Sequence, residues 1–541
     1  ACNRSATDLS VYAIVPSLLR KAHGMNGSTR SGALSFVVVI LLEIIFNLFP
    51  LGAQGFAQSE EVGPAWLQAL DSLSSERMLA DVRTLSGPSF NGRQAGSEDD
   101  LRSAQWVARE LTMAGLQLPL IYNNSITFPF SRTKKGPPLG LMASMVATPL
   151  IAPDPVVRTG TTDQFVTAQL SKDYLPVFDS PSADLQGQIV FVGYGIVDPT
   201  RGIDDYAGVD VNNCIVLFLR GKPDHYPGPV SHADKVLFAR DRGALAYLTA
   251  TGPILNPYET RRGVTGRPSA FYGQLPADQA LPGAWISTEL AETLLSGSGE
   301  ESDANQLRTL QEQLNKAPSA RSRQTNQYAS LHWKTTIQDG LLTNVVGLIP
   351  GTGPDTIVIG AHRDHFGRPA GLWFPGADDN ASGTAVILEV ARALGKIGLR
   401  PQRTILFVSF SGEERDLLGS RLYTSRPFVP LSSTKAMINI DHAGTGNGRL
   451  TVGITGFEKP TAQEAGQAAG VADKLDLYGF FPGGDHVPFK EADVPTVTVV
   501  SGGIHLHFHQ PTDTVDMVNP EILQTVARYV LTLTWKLANV Q

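Results

Sequence analysis

Thiols are nearly absent from this chain of 541 residues, whose two cysteines are Cys2 and Cys214. No disulfide framework can be built from them. Cys214 opens the apolar run Cys214-Ile215-Val216-Leu217-Phe218-Leu219, where a buried core thiol is expected rather than a nucleophile. A basic surplus is missing as well. With 44 Lys and Arg against 51 Asp and Glu, the formal net charge is -7, which excludes the phosphate-neutralising surface that nucleic-acid binding requires. Charged residues make up 18% and hydrophobic ones 42%, so the chain is not disordered and can bury a large core divided over more than one globular unit.

The stretch from Ala33 to Leu51 is almost wholly apolar, interrupted by Glu43 and Asn47, preceded by Arg30 and followed by small residues through Ala57. That is the layout of a secretory signal. The alternative, an uncleaved membrane anchor, is disfavoured by the carboxylate near its middle. The expectation is a leader over residues 1–58, with the signal-like segment at 25–57, and an exported body, periplasmic or secreted. Met25 stands just ahead of the apolar run, and residues 1–24 are set aside from the fold reading.

Beyond the leader, apolar residues fall at helical spacing from Ser75 to Leu85 and from Ser97 to Ala114, with Ser97 as N-cap and Gly115 as stop. From about 151 to 325 the text becomes rich in strands and turns, including Ile189 to Gly195 and Cys214 to Leu219. This predicts an inserted β-rich domain between an N-terminal part, 59–150, and the main part, 326–541, of a second domain. In that main part strand-length runs alternate with amphipathic helices: Asn344 to Ile349, Thr356 to Gly360, the helix Gly383 to Leu394, Thr404 to Phe410, Met437 to Ile440, Thr496 to Val500 and the helix Pro520 to Leu537. The pattern predicts an α/β fold, a mostly parallel central sheet with helices on both faces.

Nearly every ionisable cluster of this half follows directly after a predicted strand. His362 and Asp364 follow the first of the pair around 360, Glu413 and Glu414 the next, Asp441 the third, and His505, His507 and His509 the last. Such positions gather at the carboxyl edge of a parallel sheet, where ligands bind. Each has a plain alternative: a loop histidine, a solvated helix start for Glu413-Glu414, a loop and N-cap for Gly376 to Gly383. Two histidines and several carboxylates converging on one edge nevertheless require cations, because like charges held close repel. Imidazole and carboxylate without thiolate suit zinc, with cobalt or manganese possible. Asp364 and Asp513 are spaced to accept the second ring N–H of His362 and His509.

The ordered motifs Ala361-His362-Arg363-Asp364, Gly376-Ala377-Asp378-Asp379-Asn380-Ala381-Ser382-Gly383, Glu413-Glu414 with Gly419-Ser420, Asn439-Ile440-Asp441, Gly484-Asp485-His486 and His509 to Asp513 resemble the co-catalytic zinc aminopeptidases and carboxypeptidases of the bacterial leucyl aminopeptidase type. The insertion, with Gly193-Tyr194-Gly195 and Asp205-Tyr206-Ala207-Gly208, is similar to a protease-associated domain. The resemblance implies two zinc ions bridged by Asp379, one also held by His362 and Asp441 and the other by Glu414 and His509. It implies Glu413 as general base, Asn380, Asp485 and His486 in supporting places, a cis bond before Asn380, and peptide substrates cut at a chain end. This chain departs from the pattern at Phe508, where many relatives have a tyrosine, at His442, usually apolar, and at Gly484, commonly serine. Arg363, Arg368 and Arg415 keep carboxypeptidase or dipeptidase action open. Glutamine cyclisation with one metal and a non-enzymatic ectodomain are the remaining alternatives.

Overall fold

The computed structural model describes residues 66–119, 140–256, 259–260, 263–296, 306–316, 321–398 and 400–539. The signal-like segment, Cys2 and the leader as a whole lie outside them. Among the described residues no helix is long and apolar enough to cross a membrane.

Eight strands form the sheet that carries the site, in the order Leu141–Ile151, Thr335–Ile349, Thr404–Phe410, Thr356–His362, Thr434–Asp441, Thr496–Ser501, Leu450–Thr455 and Leu475–Tyr478. Its centre is parallel: Thr356–His362 pairs in parallel with Thr404–Phe410 and Thr434–Asp441, and the latter with Thr496–Ser501. Antiparallel strands flank this centre on both sides. Every residue of Thr356–His362 is buried, as a strand covered on both faces demands.

The alternation of its side chains sends Val358 to one face, where it joins Phe410, Tyr423, Met437 and Phe489. Tyr423 and Phe489 stack there with ring centroids 5.4 Å apart. The other face is covered by the helices Gly383–Ile397 and Pro520–Ala538, with Ser75–Leu85 packed on both of them. Each fully buried Val, Ile, Leu or Phe contributes about 1.5–3 kcal/mol, so this double layer holds the strand ends rigidly. The helix Glu98–Met113 begins at Ser97, whose hydroxyl accepts the Asp100 N–H at 3.1 Å, and its first turn holds Glu98, Asp99 and Asp100.

A second eight-stranded sheet is built from strands between Val156 and Trp333, among them Ala183–Phe191, Ile215–Leu219 and Ala246–Ala250 in parallel. Cys214 sits just before the first residue of its strand and is half-buried rather than in the core. The run's burial begins at Ile215, because the cysteine belongs to the turn that leads in.

Candidate metal centre

The parallel register brings four strand ends to one edge. His362 is the last residue of its strand and stands opposite Phe410, three residues before Glu413; Asp441 ends the next strand, opposite Val500. Asp378 and Asp379 come from the turn Ala377–Ser382, which leads into the helix Gly383–Ile397, and the bond between Asp379 and Asn380 is cis. Asn380 locks the turn to the sheet, donating through Nδ2 to the Ile440 carbonyl at 2.9 Å and accepting the Gly383 N–H at 2.9 Å.

Two sets of donor atoms result. His362 Nε2 lies 3.3 Å from Asp379 Oδ1 and 3.3 Å from Asp441 Oδ1. His509 Nε2 lies 3.1 Å from Asp379 Oδ2 and 3.3 Å from Glu414 Oε2. Ligands held at about 2.0–2.1 Å in a tetrahedral zinc site are about 3.3 Å apart, so both sets fit an ion, and the two oxygens of Asp379 serve one set each. All five residues inferred as ligands therefore meet. Glu413 Oε2 stands 3.9 Å from His362 Nε2, on the open side.

Supporting contacts follow, with one correction. Asp364 does serve His362, though mainly through its backbone: His362 Nδ1 lies 3.2 Å from the Asp364 carbonyl and 3.6 Å from its Oδ1. Asp364 Oδ1 also accepts the Glu413 N–H at 3.3 Å, which ties His362 and Glu413 to one residue. Asp513, expected to orient His509, instead accepts the N–H groups of Asp378 at 2.9 Å and Asp379 at 3.1 Å. The reason is that His509 Nδ1 is already committed to the Ala270 carbonyl at 2.7 Å, contributed by the long segment between strands of the second sheet. Asp485 and His486 are buried beyond the ligand set, with His486 Nε2 3.1 Å from the Phe481 carbonyl. Gly484 has φ +98°, and a side chain there would begin 2.9 Å from Asn439 Nδ2, which accounts for glycine at this position.

Three residues were given no role from the sequence. His365 Nδ1 lies 2.6 Å from Glu414 Oε1. Its position three residues beyond His362, on the same strand exit, is the signal that could have flagged it. Arg93 is fully buried and donates to the carbonyls of Arg363, Leu85, Pro375 and Gly376, stapling the opening loop beneath the Asp-Asp turn. His442 points its ring between Asp378 and the site.

Burial and close opposite charges shift the ionisable groups of the site strongly. Burial raises Glu413 well above the usual carboxylate range, with Glu414 and Asp441 adding to the rise against the opposing pull of His362. Burial would also raise Glu414, but His509 and His365 hold it down at about 2. Burial works against His509 too, yet Glu414 and Asp379 lift it to about 9. Buried Asp364 Oδ2 and His365 Nε2 have no hydrogen-bond partner, the kind of orphaned polar atom an ion-centred network leaves behind. The residues present thus fit a pair of divalent cations.

A cavity of about 360 Å³ opens beside Glu413, Asp441 and His442 and is walled by Tyr478, Phe480, Phe481, Val500 and Phe508. None of the three arginines lines it. Arg363 is fully buried and paired with Asp100 at 2.7 Å, Arg415 donates to Thr148 Oγ1 and the Ala147 carbonyl, and Arg368 is exposed.

Residues 344–534 match the model of Peptidase family M28. Over 193 residues the chain is 32% identical to a probable leucine aminopeptidase of Trichophyton verrucosum, covering 32% of this chain and 52% of that one. The chain thus spans about half the length of that curated relative. Among solved structures, an aminopeptidase from Aneurinibacillus sp. strain AM-1 superimposes with a TM-score of 0.61 at 20% identity, over 88% of this chain and 96% of that one. A zinc aminopeptidase from Bacillus subtilis superimposes with a TM-score of 0.56 at 19% identity, over 86% and 96%. The two share the fold with this chain.

Proposed function

We infer, from the premise that residues 344–534 are a peptidase family M28 domain, that this protein is an exported zinc-dependent aminopeptidase. The observation that carries the reading is the placement of the two Asp379 oxygens, each about 3.1–3.3 Å from a different histidine. His362 and Asp441 would hold one ion, Glu414 and His509 the other, and Asp379 both. When bound, the ions supply Lewis acidity toward the substrate carbonyl and lower the pKa of water. Glu413, half-buried on the open side of the ligand set, takes the proton of the attacking water and returns it to the leaving amine. Asp364 fixes the backbone N–H of that base.

Two observations favour an N-terminal over a C-terminal chain end. A free carboxylate needs a guanidinium or ammonium partner, and none of Arg363, Arg368 and Arg415 lines the cavity. The centre instead presents carboxylates, which suit a substrate ammonium. The apolar walls Tyr478, Phe480, Phe481 and Val500 suit an apolar first side chain. The second sheet, read as an inserted protease-associated domain over residues 151–325, supplies the partner of His509. The partners of the mature protein are peptides, with no nucleic acid.

The test is a panel of peptides, free or blocked at either end, followed by mass spectrometry with metal analysis of the purified protein. Sequential loss of N-terminal residues, abolished by N-acetylation and by chelator and restored by zinc, is expected. Release of C-terminal residues, or cleavage indifferent to N-acetylation, overturns the reading.

A further inference from the structure

We propose that His442 is a sixth protein ligand of the cation centre, oriented for that role by Asp378. The inference rests on the dinuclear reading above and extends it to a residue that reading leaves idle. His442 directly follows the strand end at Asp441 and takes φ +45°, which turns the chain as the strand ends. Its backbone is pinned on both sides: its N–H donates to Asp441 Oδ1 at 3.0 Å, and its carbonyl accepts the Ser501 N–H at 3.0 Å and the Ser501 hydroxyl. The ring is flanked by those of His505 and Phe508, with centroids 4.9 and 5.4 Å away.

The two ring nitrogens have different surroundings. Nδ1 lies 3.3 Å from Asp378 Oδ2, and because a carboxylate only accepts, Nδ1 carries the hydrogen. That carboxylate is itself immobilised by the Gly444 N–H at 2.8 Å, the Thr445 hydroxyl at 2.8 Å and His505 Nδ1 at 2.6 Å. Nε2 faces the space bounded by Asp379 Oδ2 at 3.8 Å and Asp441 Oδ1 at 3.9 Å, where the neutral ring would offer its lone pair to an ion. An imidazole with one nitrogen hydrogen-bonded to a carboxylate and the other facing ligand oxygens is the arrangement of metal-binding histidines. Asp379, Asp441 and His442 offer three donor atoms that lie within 4.8 Å of one another. The Asp379 oxygen belongs to the His509 set and the Asp441 oxygen to the His362 set, and a separation near 3.8 Å from either exceeds the ~3.3 Å of a tetrahedral edge and matches two ligands about 130° apart on one ion with bonds of about 2.1 Å, as in a five-coordinate site.

A separate ion held by Asp378, His442 and His505 is the competing use of the same residues. Distance decides against it: the 2.6 Å between His505 Nδ1 and Asp378 Oδ2 is a hydrogen bond, too short for two ligands of one ion. His365 is set aside on the same ground, at 2.6 Å from Glu414 Oε1.

The test uses the full chain and two probes, zinc and cobalt(II). Zinc affinity is measured by competition with a chromophoric chelator, and cobalt coordination by visible absorption, for the wild type and for His442→Phe. The phenylalanine keeps a ring between His505 and Phe508 and removes both nitrogens. The expected result is an affinity for one of the two zinc ions lowered at least ten- to a hundredfold, with a changed cobalt spectrum. A folded His442→Phe protein with zinc affinity within twofold of wild type and a superimposable cobalt spectrum overturns the proposal. X-ray absorption on the zinc-loaded wild type gives a second measure that needs no variant: three imidazoles per two zinc ions support it, and two refute it. If the wild type binds no zinc, the underlying functional reading fails instead.

Discussion

Replacing Asp100 by alanine strands a guanidinium in the protein interior. Asp100 and Arg363 are both fully buried, and Arg363 sits next to His362 in the chain. Without the carboxylate, Arg363 keeps hydrogen bonds to Ser103 Oγ and to the carbonyls of Thr343, Ser409 and Phe410 but has lost its counter-ion. Ser411 Oγ and the Gly96 N–H lose their acceptor as well. Breaking a buried ion pair from one side costs about 3–5 kcal/mol. For a compact unit spanning residues 68–541, an unfolding entropy of about 2.1 cal/mol/K per residue gives about 1 kcal/mol/K. The loss then lowers the melting temperature by about 3–5 °C. Differential scanning calorimetry on metal-free protein reads this without a contribution from cation binding. The double variant Asp100→Leu with Arg363→Met, which removes both charges, should melt above Asp100→Ala. A single variant within about 1 °C of wild type, or a double variant that melts lower still, refutes the reasoning.

Glu413→Gln should lower kcat by about 10²–10⁴-fold while zinc content stays at the wild-type value; near-normal turnover removes Glu413 as the base. Asp513→Ala leaves the N–H groups of Asp378 and Asp379 without their acceptor, at about 1–3 kcal/mol for each, so chelator competition should show weaker zinc binding, for both ions on the two-ion reading proposed above. Burial lowers Lys235 to about 7. An unfolded lysine is protonated up to about 10.4, so between the two values the unfolded state holds the extra proton and stability rises with pH. The wild type should therefore gain more stability from pH 7 to pH 9 than Lys235→Met, by about 2 kcal/mol, read from paired denaturation curves; parallel pH dependences would refute the assignment. Val500→Trp should raise KM for substrates with a large apolar first residue more than for alanyl ones, as the side chain fills the cavity.

The convergence of these side chains was legible because strand ends in a parallel sheet share an edge. Once Thr356–His362, Thr404–Phe410 and Thr434–Asp441 were read as buried strands, His362, the glutamates and Asp441 had to converge. Ser97 and Gly115 marked the ends of Glu98–Met113 by ordinary capping chemistry. What escaped notice depends on orientation across long separations. Sequence spacing suggested Asp513 for His509, whereas the acceptor is a carbonyl 239 positions away. Arg363 was kept open as a cation for a substrate carboxylate and is instead buried and paired, since its partner lies on a helix 263 positions earlier. Cys214 shows the boundary problem in small: one position separates the turn residue from the core.

The bond between His509 and Ala270 makes the second sheet part of the chemistry it adjoins. Ala270 returns a second hydrogen bond, its N–H to the His509 carbonyl at 3.0 Å, and Gln510 reaches the Pro268 carbonyl and Ser269 Oγ alongside it. A histidine ring aimed by a main-chain oxygen cannot be re-aimed by swapping a side chain, so tolerance at position 270 is governed by backbone path rather than residue type. A shortened version of the protein that dispensed with the inserted strands would have to find its imidazole a new hydrogen-bond acceptor before it could load a full complement of metal.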